Sequence, residues 1–515
     1  MTLHSPAAGL ARWGSRRRLE LDAERAPRGF WVATLSALAL SLLLVLSHPT
    51  FLWITLPACF AVTVLQVQTL RRVLGAFPLI AIVIGVLNTV GVAGYVLYPR
   101  IADVARVSAR LGQSVSAYRV AAGLFLLASA ALWIGGLLGS LGGRSKGDAA
   151  VEQAALREAL VKLPAGAVLL AALVPVTLTI IGTSPQGLLH RSSYLDAYGP
   201  LLISKLSGVL LPAGVALLGL VLFNGRSTSG KRRATLLLLL YMTVLFAKGT
   251  RLIGLVPLIL LGCYLSLPDG AGKARRLGVT TAALVGAATV FLLQLPLALR
   301  SNFGGNGLGP YVSRIIADPG SAVVPNLLAV FGNVLFAVPL TGSIATATPE
   351  QPLDYFLTSI DPRPGGLTAW PTIAPLLRVN INTPFNALGE LSRYGLVVFV
   401  GYLLITGFVV TRLQRFAART PGLSAQIGVG LLGGLLLLFS VSLLQYNLRS
   451  GTRQLWYALV LLVVLRFVGT TISSTRRNRL VQHSADEART RPGQRTSGTM
   501  PGWRSVGGAG SRTLG

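Results

Sequence analysis

Charged side chains are scarce, at 12% of 515 residues, against roughly 25% in an average soluble domain. A chain so short of polar surface cannot cover a water-soluble globule, which excludes a soluble two- or three-domain enzyme of this length. Acidic residues are rarer still, 16 Asp and Glu against 46 Lys and Arg. Cysteine occurs twice and histidine four times. Cys59 and Cys263 both lie inside apolar runs, so they build neither a disulfide framework nor a zinc site and read as small buried hydrophobes. No internal repeat is visible, which disfavours transporters built from duplicated halves.

Apolar residues are what the chain has: 52% are hydrophobic and the mean hydropathy is +0.65. That excludes intrinsic disorder and leaves a helical membrane protein. The formal charge is +30. On a soluble chain such an excess would suggest nucleic acid. On a membrane protein it reads as cytoplasmic Arg obeying the positive-inside rule, with no nucleic-acid partner.

A crossing takes about 20 apolar residues. Twelve candidate spans lie near 30–47, 51–67, 77–97, 120–141, 165–182, 200–223, 234–247, 252–267, 277–298, 395–411, 426–443 and 455–471. The first follows Arg16, Arg17 and Arg18 without a small-residue cleavage pattern and reads as an uncleaved anchor. With the N-terminus inside, the inner segments hold 30 Lys and Arg and the outer ones 14. The short inner loops carry Lys231–Arg232–Arg233, Lys273/Arg275/Arg276 and Arg412/Arg415/Arg419, so the rule holds at each.

Residues 321–340 are apolar enough for a thirteenth span, but a crossing there would turn Arg412–Arg419 outward. Pro325, Gly332 and Pro339 also interrupt the run. We read it as a re-entrant or interfacial segment of one long outer loop. The expected fold is thus an all-α polytopic integral membrane protein of about 12 transmembrane helices. Its order is a cytoplasmic tail (1–28), a bundle of about nine helices (29–298), the outer loop (299–394), three helices (395–471) and a disordered cytoplasmic tail (472–515). A loop that long is uncommon unless it is functional.

Four outer places hold charge that orientation does not require. The first is His190–Arg191–Ser192–Ser193–Tyr194–Leu195–Asp196. The second is Lys248–Gly249–Thr250–Arg251, between apolar runs too short to span comfortably, so its cations belong below the surface and face protein. The third is Arg300 and Arg314 around the Gly-rich run 304–309. That run is no nucleotide loop, since no strand precedes it and no GK[ST] follows, and it reads as a flexible surface loop. The fourth is 382–395, where Thr383 would cap a helix starting at Pro384 that carries Asn386, Glu390 and Arg393 on one face. Arg449 and Arg453 add two more outer cations.

Arginine keeps its charge at any relevant pH, and its planar fork suits phosphate. The implied ligand is an anionic lipid headgroup, a phosphate or pyrophosphate. The outer carboxylates are scattered and offer no metal site.

The R-x-x-Y of Arg191–Tyr194, the K-G-T-R of residues 248–251 and the T-P-F-N-A-L-G-E-L-S-R-Y-G of residues 383–395 mark a resemblance. With the dozen helices and long outer loop, the chain resembles the membrane oligosaccharide repeat-unit polymerases, the O-antigen or Wzy-type family of bacterial cytoplasmic membranes. The resemblance implies a glycan on polyprenyl pyrophosphate as donor. A second lipid-linked unit is the acceptor, lipid pyrophosphate is the leaving group, and no cofactor takes part. It implies pyrophosphate binding by Arg191, Lys248, Arg251, Arg300, Arg314 and Arg393. Glu390 would be the base, with Asp196 and His190 in reserve, and Tyr194, Trp370, Asn386 and Tyr394 would contact sugar. Membrane lipid and a chain-length regulator are the further partners it suggests. The alternatives are an O-antigen ligase-like or other polyprenyl-linked glycosyltransferase, a lipid-linked oligosaccharide flippase, and a structural partner in an export complex.

Overall fold

In a bilayer, apolar runs must satisfy their own backbone groups, and helices do so within one segment. The computed structural model of the chain describes residues 32–37, 39–40, 52–74, 78–105, 115–141, 164–192, 200–224, 227–266, 278–300, 305–320, 327–380, 383–419, 423–460 and 462–463. Helices α1 (Leu52–Leu74), α2 (Leu79–Ala105), α3 (Val115–Ser140) and α4 (Ala165–Thr183) come first. Next are α5 (Leu201–Asn224), α6 (Thr228–Ala247), α7 (Val256–Ser266) and α8 (Val279–Leu299). The 299–394 segment holds α9 (Leu308–Ala317), α10 (Leu327–Leu335), α11 (Ala337–Ala347), α12 (Leu353–Ile360) and α13 (Ala387–Ser392). A small antiparallel ribbon, β1 (Arg378–Asn380) and β2 (Thr383–Pro384), sits before α13. Then follow α14 (Leu396–Arg419), α15 (Leu423–Gln445) and a helical stretch over 448–460.

Apart from single residues at their ends, each of the twelve apolar stretches is helical wherever it is described. Among the described residues five helices are long and apolar enough to cross a membrane: Leu79–Pro99, Ser116–Ser140, Ala165–Thr183, Val330–Ala347 and Leu396–Phe416. The architecture is that of a helical membrane protein. Cys59 and Cys263 are buried free thiols.

Two details differ from expectation. Helix α6 is longer than its apolar run, because it starts at Thr228, with Ser227 accepting from the Gly230 amide at 3.3 Å, and carries Lys231–Arg233 in its first turns. Residues 327–347 are not broken at Gly332 and Pro339. The Phe336 amide bonds Gly332 O at 2.9 Å and the Leu340 amide bonds Phe336 O at 3.0 Å, so the helix runs on through the turn. Pro339 lies in the first turn of α11, where a missing N–H costs least.

Two large apolar cores, with two small clusters beside them, hold the described part together. The larger joins α1, α2 and α3 to α10, α11, α13 and α14 around Phe125, Trp133, Phe399 and Phe439. The smaller joins α4, α5, α6 and α7 around Leu218, Tyr241 and Ile253. Helix α15 serves both, with Leu435, Leu436 and Phe439 in the larger core and Leu438 in the smaller. Between α3 and α14 the backbones touch: a Cβ on Gly139 would lie 2.7 Å from Phe408 O, and one on Gly135 or Gly407 would overlap Leu404 O or Leu132 O. Gly135 and Gly139 are a small-xxx-small pair, the pattern that lets helices approach closely in lipid.

Candidate functional site

The first cluster is built on the reversal after α6. Gly249 adopts φ +60°, and the Thr250 hydroxyl accepts from the Leu252 amide at 3.3 Å to start a 3-10 turn, Arg251–Leu255. Three successive carbonyls, of Ala247, Lys248 and Gly249, receive arginines. Arg191 Nη2 donates to Ala247 O at 3.2 Å and to Lys248 O at 2.6 Å. Arg300 donates through Nε to Gly249 O at 2.7 Å and through Nη2 to the same atom. Arg314 donates to Leu299 O, at the end of α8, and to Gly305 O at 2.9 Å.

Residues 305–309 of the Gly-rich run are an ordered part of this site, a correction to their reading as a flexible loop. Asn306 and Arg191 pair by backbone in both directions, at 2.8 and 2.7 Å. Asn306 is buried, and its Oδ1 accepts from the Tyr311 hydroxyl at 3.2 Å. Gly307 has φ +112°, and a Cβ there would sit 2.8 Å from Leu189 O. The glycine is therefore needed twice, for its conformation and for the close approach. Exposed His190 lies at the rim, its ring against Gly305.

Arg191, Lys248, Arg251, Arg300 and Arg314 thus gather about one turn. Carbonyl oxygens orient a guanidinium without cancelling its charge. Burial, and then the Arg191 charge, push the Lys248 ammonium below its ordinary pKa. Arg251 reaches Gln445 Oε1 at 3.5 Å, at the end of α15, and Gln445 Nε2 donates to Asn333 O at 2.9 Å.

The second cluster lies at the same helix end, where the Ala387 amide donates to Tyr446 O at 2.8 Å. Asn386, not Thr383, caps the short helix, and the helix starts at Ala387 instead of Pro384. The reason is local: Asn386 Oδ1 accepts from the Gly389 amide at 3.1 Å, while Thr383 and Pro384 are held in β2. Asn386 is fully buried, and its Nδ2 donates to Thr341 Oγ1 at 2.7 Å, Leu444 O at 3.1 Å and Ala337 O at 3.3 Å. Glu390 is also fully buried. Its Oε1 accepts from Ser359 Oγ at 2.6 Å and the Tyr394 hydroxyl at 3.0 Å, and its Oε2 from the Leu448 amide at 2.9 Å. Burial raises its pKa above the ordinary carboxylate value, against the three hydrogen bonds that lower it.

Arg393 donates to Ala345 O at 2.8 Å, near the end of α11, and to Pro349 O at 3.0 Å. Arg393 thus follows directly on the helix that carries Glu390, and the hydrogen bonds of its side chain go to the α11–α12 connection and the end of α11. Buried Arg449 lies 5.1 Å from the Trp370 ring centroid and donates to Thr358 O, to Arg363 O at 2.6 Å and to Thr368 Oγ1 at 3.3 Å. Tyr194 and Asp196 lie outside the described residues. Among the described residues no three His, Cys, Asp or Glu side chains gather as a metal site requires.

Sequence reading missed Asn306, Tyr311, Ser359 and Gln445. Asn306, Ser359 and Gln445 act through residues remote in the chain, and Tyr311 acts through Asn306, which leaves no local spacing to read. No family model, curated protein or solved structure matches this chain.

Proposed function

We propose that this protein polymerises lipid-linked oligosaccharide repeat units on the outer face of the bacterial cytoplasmic membrane, moving a glycan from polyprenyl pyrophosphate to the terminal sugar of a second lipid-linked unit. The observation that carries the reading is the gathering of Arg191, Lys248, Arg251, Arg300 and Arg314 at the end of α6, with carbonyl oxygens holding the guanidinium groups of Arg191, Arg300 and Arg314. A site that collects cations on neutral acceptors in an apolar bundle is suited to an anion of more than one charge. During transfer, negative charge grows on the departing pyrophosphate, and preorganised donors lower the barrier where that charge develops.

The reaction breaks the anomeric carbon–phosphate oxygen bond and forms a bond to the acceptor hydroxyl oxygen, whose proton must be taken up. Both Glu390 oxygens are engaged, so we assign Glu390 to holding α12, α13 and residue 448 in place. Exposed His190, at the rim of the cation cluster, becomes the proton acceptor. Trp370, steadied by Arg449, offers a face for a sugar.

The long outer loop fits the same reading. Asn333 and Ala337 lie against the last residues of α15, through Gln445 and Asn386.

Cells lacking the protein are expected to accumulate lipid carrying one repeat unit on the outer leaflet. Accumulation on the inner leaflet would make it a flippase. Full activity of both Arg251→Ala and Arg251→Lys in cells would remove the assignment of the cation cluster to the chemistry.

A further inference from the structure

Helix α12 belongs to the segment read as an outer loop, yet it shows an apolar face to its surroundings. Leu353 and Leu357, one turn apart, are 56% and 53% exposed. The opposite face is committed: Tyr355 and Phe356 pack on the larger core and buried Ser359 donates to Glu390. An amphipathic helix anchored on its inner side needs an apolar medium on the other.

What lies at its two ends identifies that medium. At the start, the Gln351 amide donates to Arg393 O at 2.9 Å, three residues before α14. The first residues of α14, Leu396 and Val397, are 63% and 87% exposed and open a helix long and apolar enough to cross a membrane. At the far end, Trp456 Nε1 donates to Ile360 O at 3.1 Å. Trp456 and Tyr457 are themselves exposed, ahead of exposed Val460 and Val463. An exposed Trp–Tyr pair above exposed valines is the arrangement of a membrane–water boundary, where amphipathic rings sit at headgroup level. Both ends of α12 are therefore tied to residues at the lipid boundary.

We propose that α12 is an interfacial helix lying in the plane of the outer leaflet, with Leu353 and Leu357 inserted at the headgroup–acyl boundary. Its partner is phospholipid. On α9, Val312 and Ile316 repeat the exposed one-turn spacing, and Arg314 ties that helix to Leu299 O at the end of α8. The outer segment is thus seated on the membrane at two places. The inference needs the membrane character of the bundle, takes its leaflet from the outward reading of the 299–394 segment, and stands apart from the polymerase reading.

The test uses the full chain in vesicles of phosphatidylethanolamine and phosphatidylglycerol. An environment-sensitive fluorophore is placed by single-cysteine labelling at L353C, L357C or D354C, and the two native cysteines are buried. A nitroxide carried high on the acyl chain of added phosphatidylcholine is expected to quench the probes at 353 and 357 at least about twofold more than the probe at 354, with aqueous iodide showing the reverse order. These are surface positions, so the variants keep the fold, and an unchanged thermal midpoint verifies it. Equal iodide quenching at 353, 354 and 357, with no selective quenching by lipid nitroxide, would overturn the proposal.

Discussion

Arg191 illustrates how the charge of this protein is used. It is buried at 2% exposure, and its guanidinium holds two carbonyls at the end of α6 while its backbone holds Asn306. Arg191→Ala strands those carbonyls and is expected to cost about 3 kcal/mol or more in thermal stability, with Arg191→Lys recovering only part because one ammonium cannot reproduce the fork. Gly307→Ala meets both a φ of +112° and Leu189 O. A loss of about 1–3 kcal/mol is expected, read from the melting midpoint in detergent.

Lys248 has its pKa lowered from 10.5. Between the lowered value and 10.5 the folded chain has released a proton that the unfolded chain keeps, so stability rises with pH in that window. Inorganic pyrophosphate binding should weaken as pH rises through the lowered value, and Lys248→Met should remove that dependence. Glu390 has its pKa raised from 4.5. The folded carboxyl keeps its proton where the unfolded one has lost it, so stability falls as pH climbs from 4.5 to the raised value, and Glu390→Gln should flatten that slope.

At the level of elements, position was legible and detail was not. Hydropathy located the helices because an apolar run without charge has one stable form in lipid, as α4 and α8 show. It cut α6 short, since Lys231–Arg233 look like loop by charge yet continue a helix. The start of α13 was displaced for a different reason. Thr383 and Asn386 are both competent caps, and the choice was made by contacts from Thr341 and Leu444, remote in sequence. Asn386→Ala loses the cap and three buried acceptor contacts. Its expected cost of about 2–4 kcal/mol can be compared with Asn386→Asp, which keeps the cap alone.

The same division holds for the site. The arginines were visible as charge that orientation did not require. Their partners are backbone carbonyls, which carry no sequence signature. Glu390 was visible as a carboxylate beside Arg393, yet its burial depends on α12 and on residue 448.

For the whole molecule, the arrangement of two apolar cores meeting at α15 bears on topology. The 299–394 segment is expected outside, so a reporter fused after Pro352 should give an outward signal. The cation cluster and Glu390 both lie against the end of α15, so an inward signal would place both on the inner face and overturn the outer assignment of the site. High salt should weaken pyrophosphate binding only modestly, because the cluster is partly buried and screening acts chiefly on exposed charge.

The contact of α3 with α14 has a mechanical consequence. Backbones that meet through Gly135, Gly139 and Gly407 leave no side-chain layer between them to shear. The two helices act as one stiff column, and through α14 that column carries α13 and Glu390. Among the described residues the smaller core has no such glycine weld to the larger one, and α15 is shared by both. Under the proposed function, the movement that admits a substrate is expected in α4–α7, against that column.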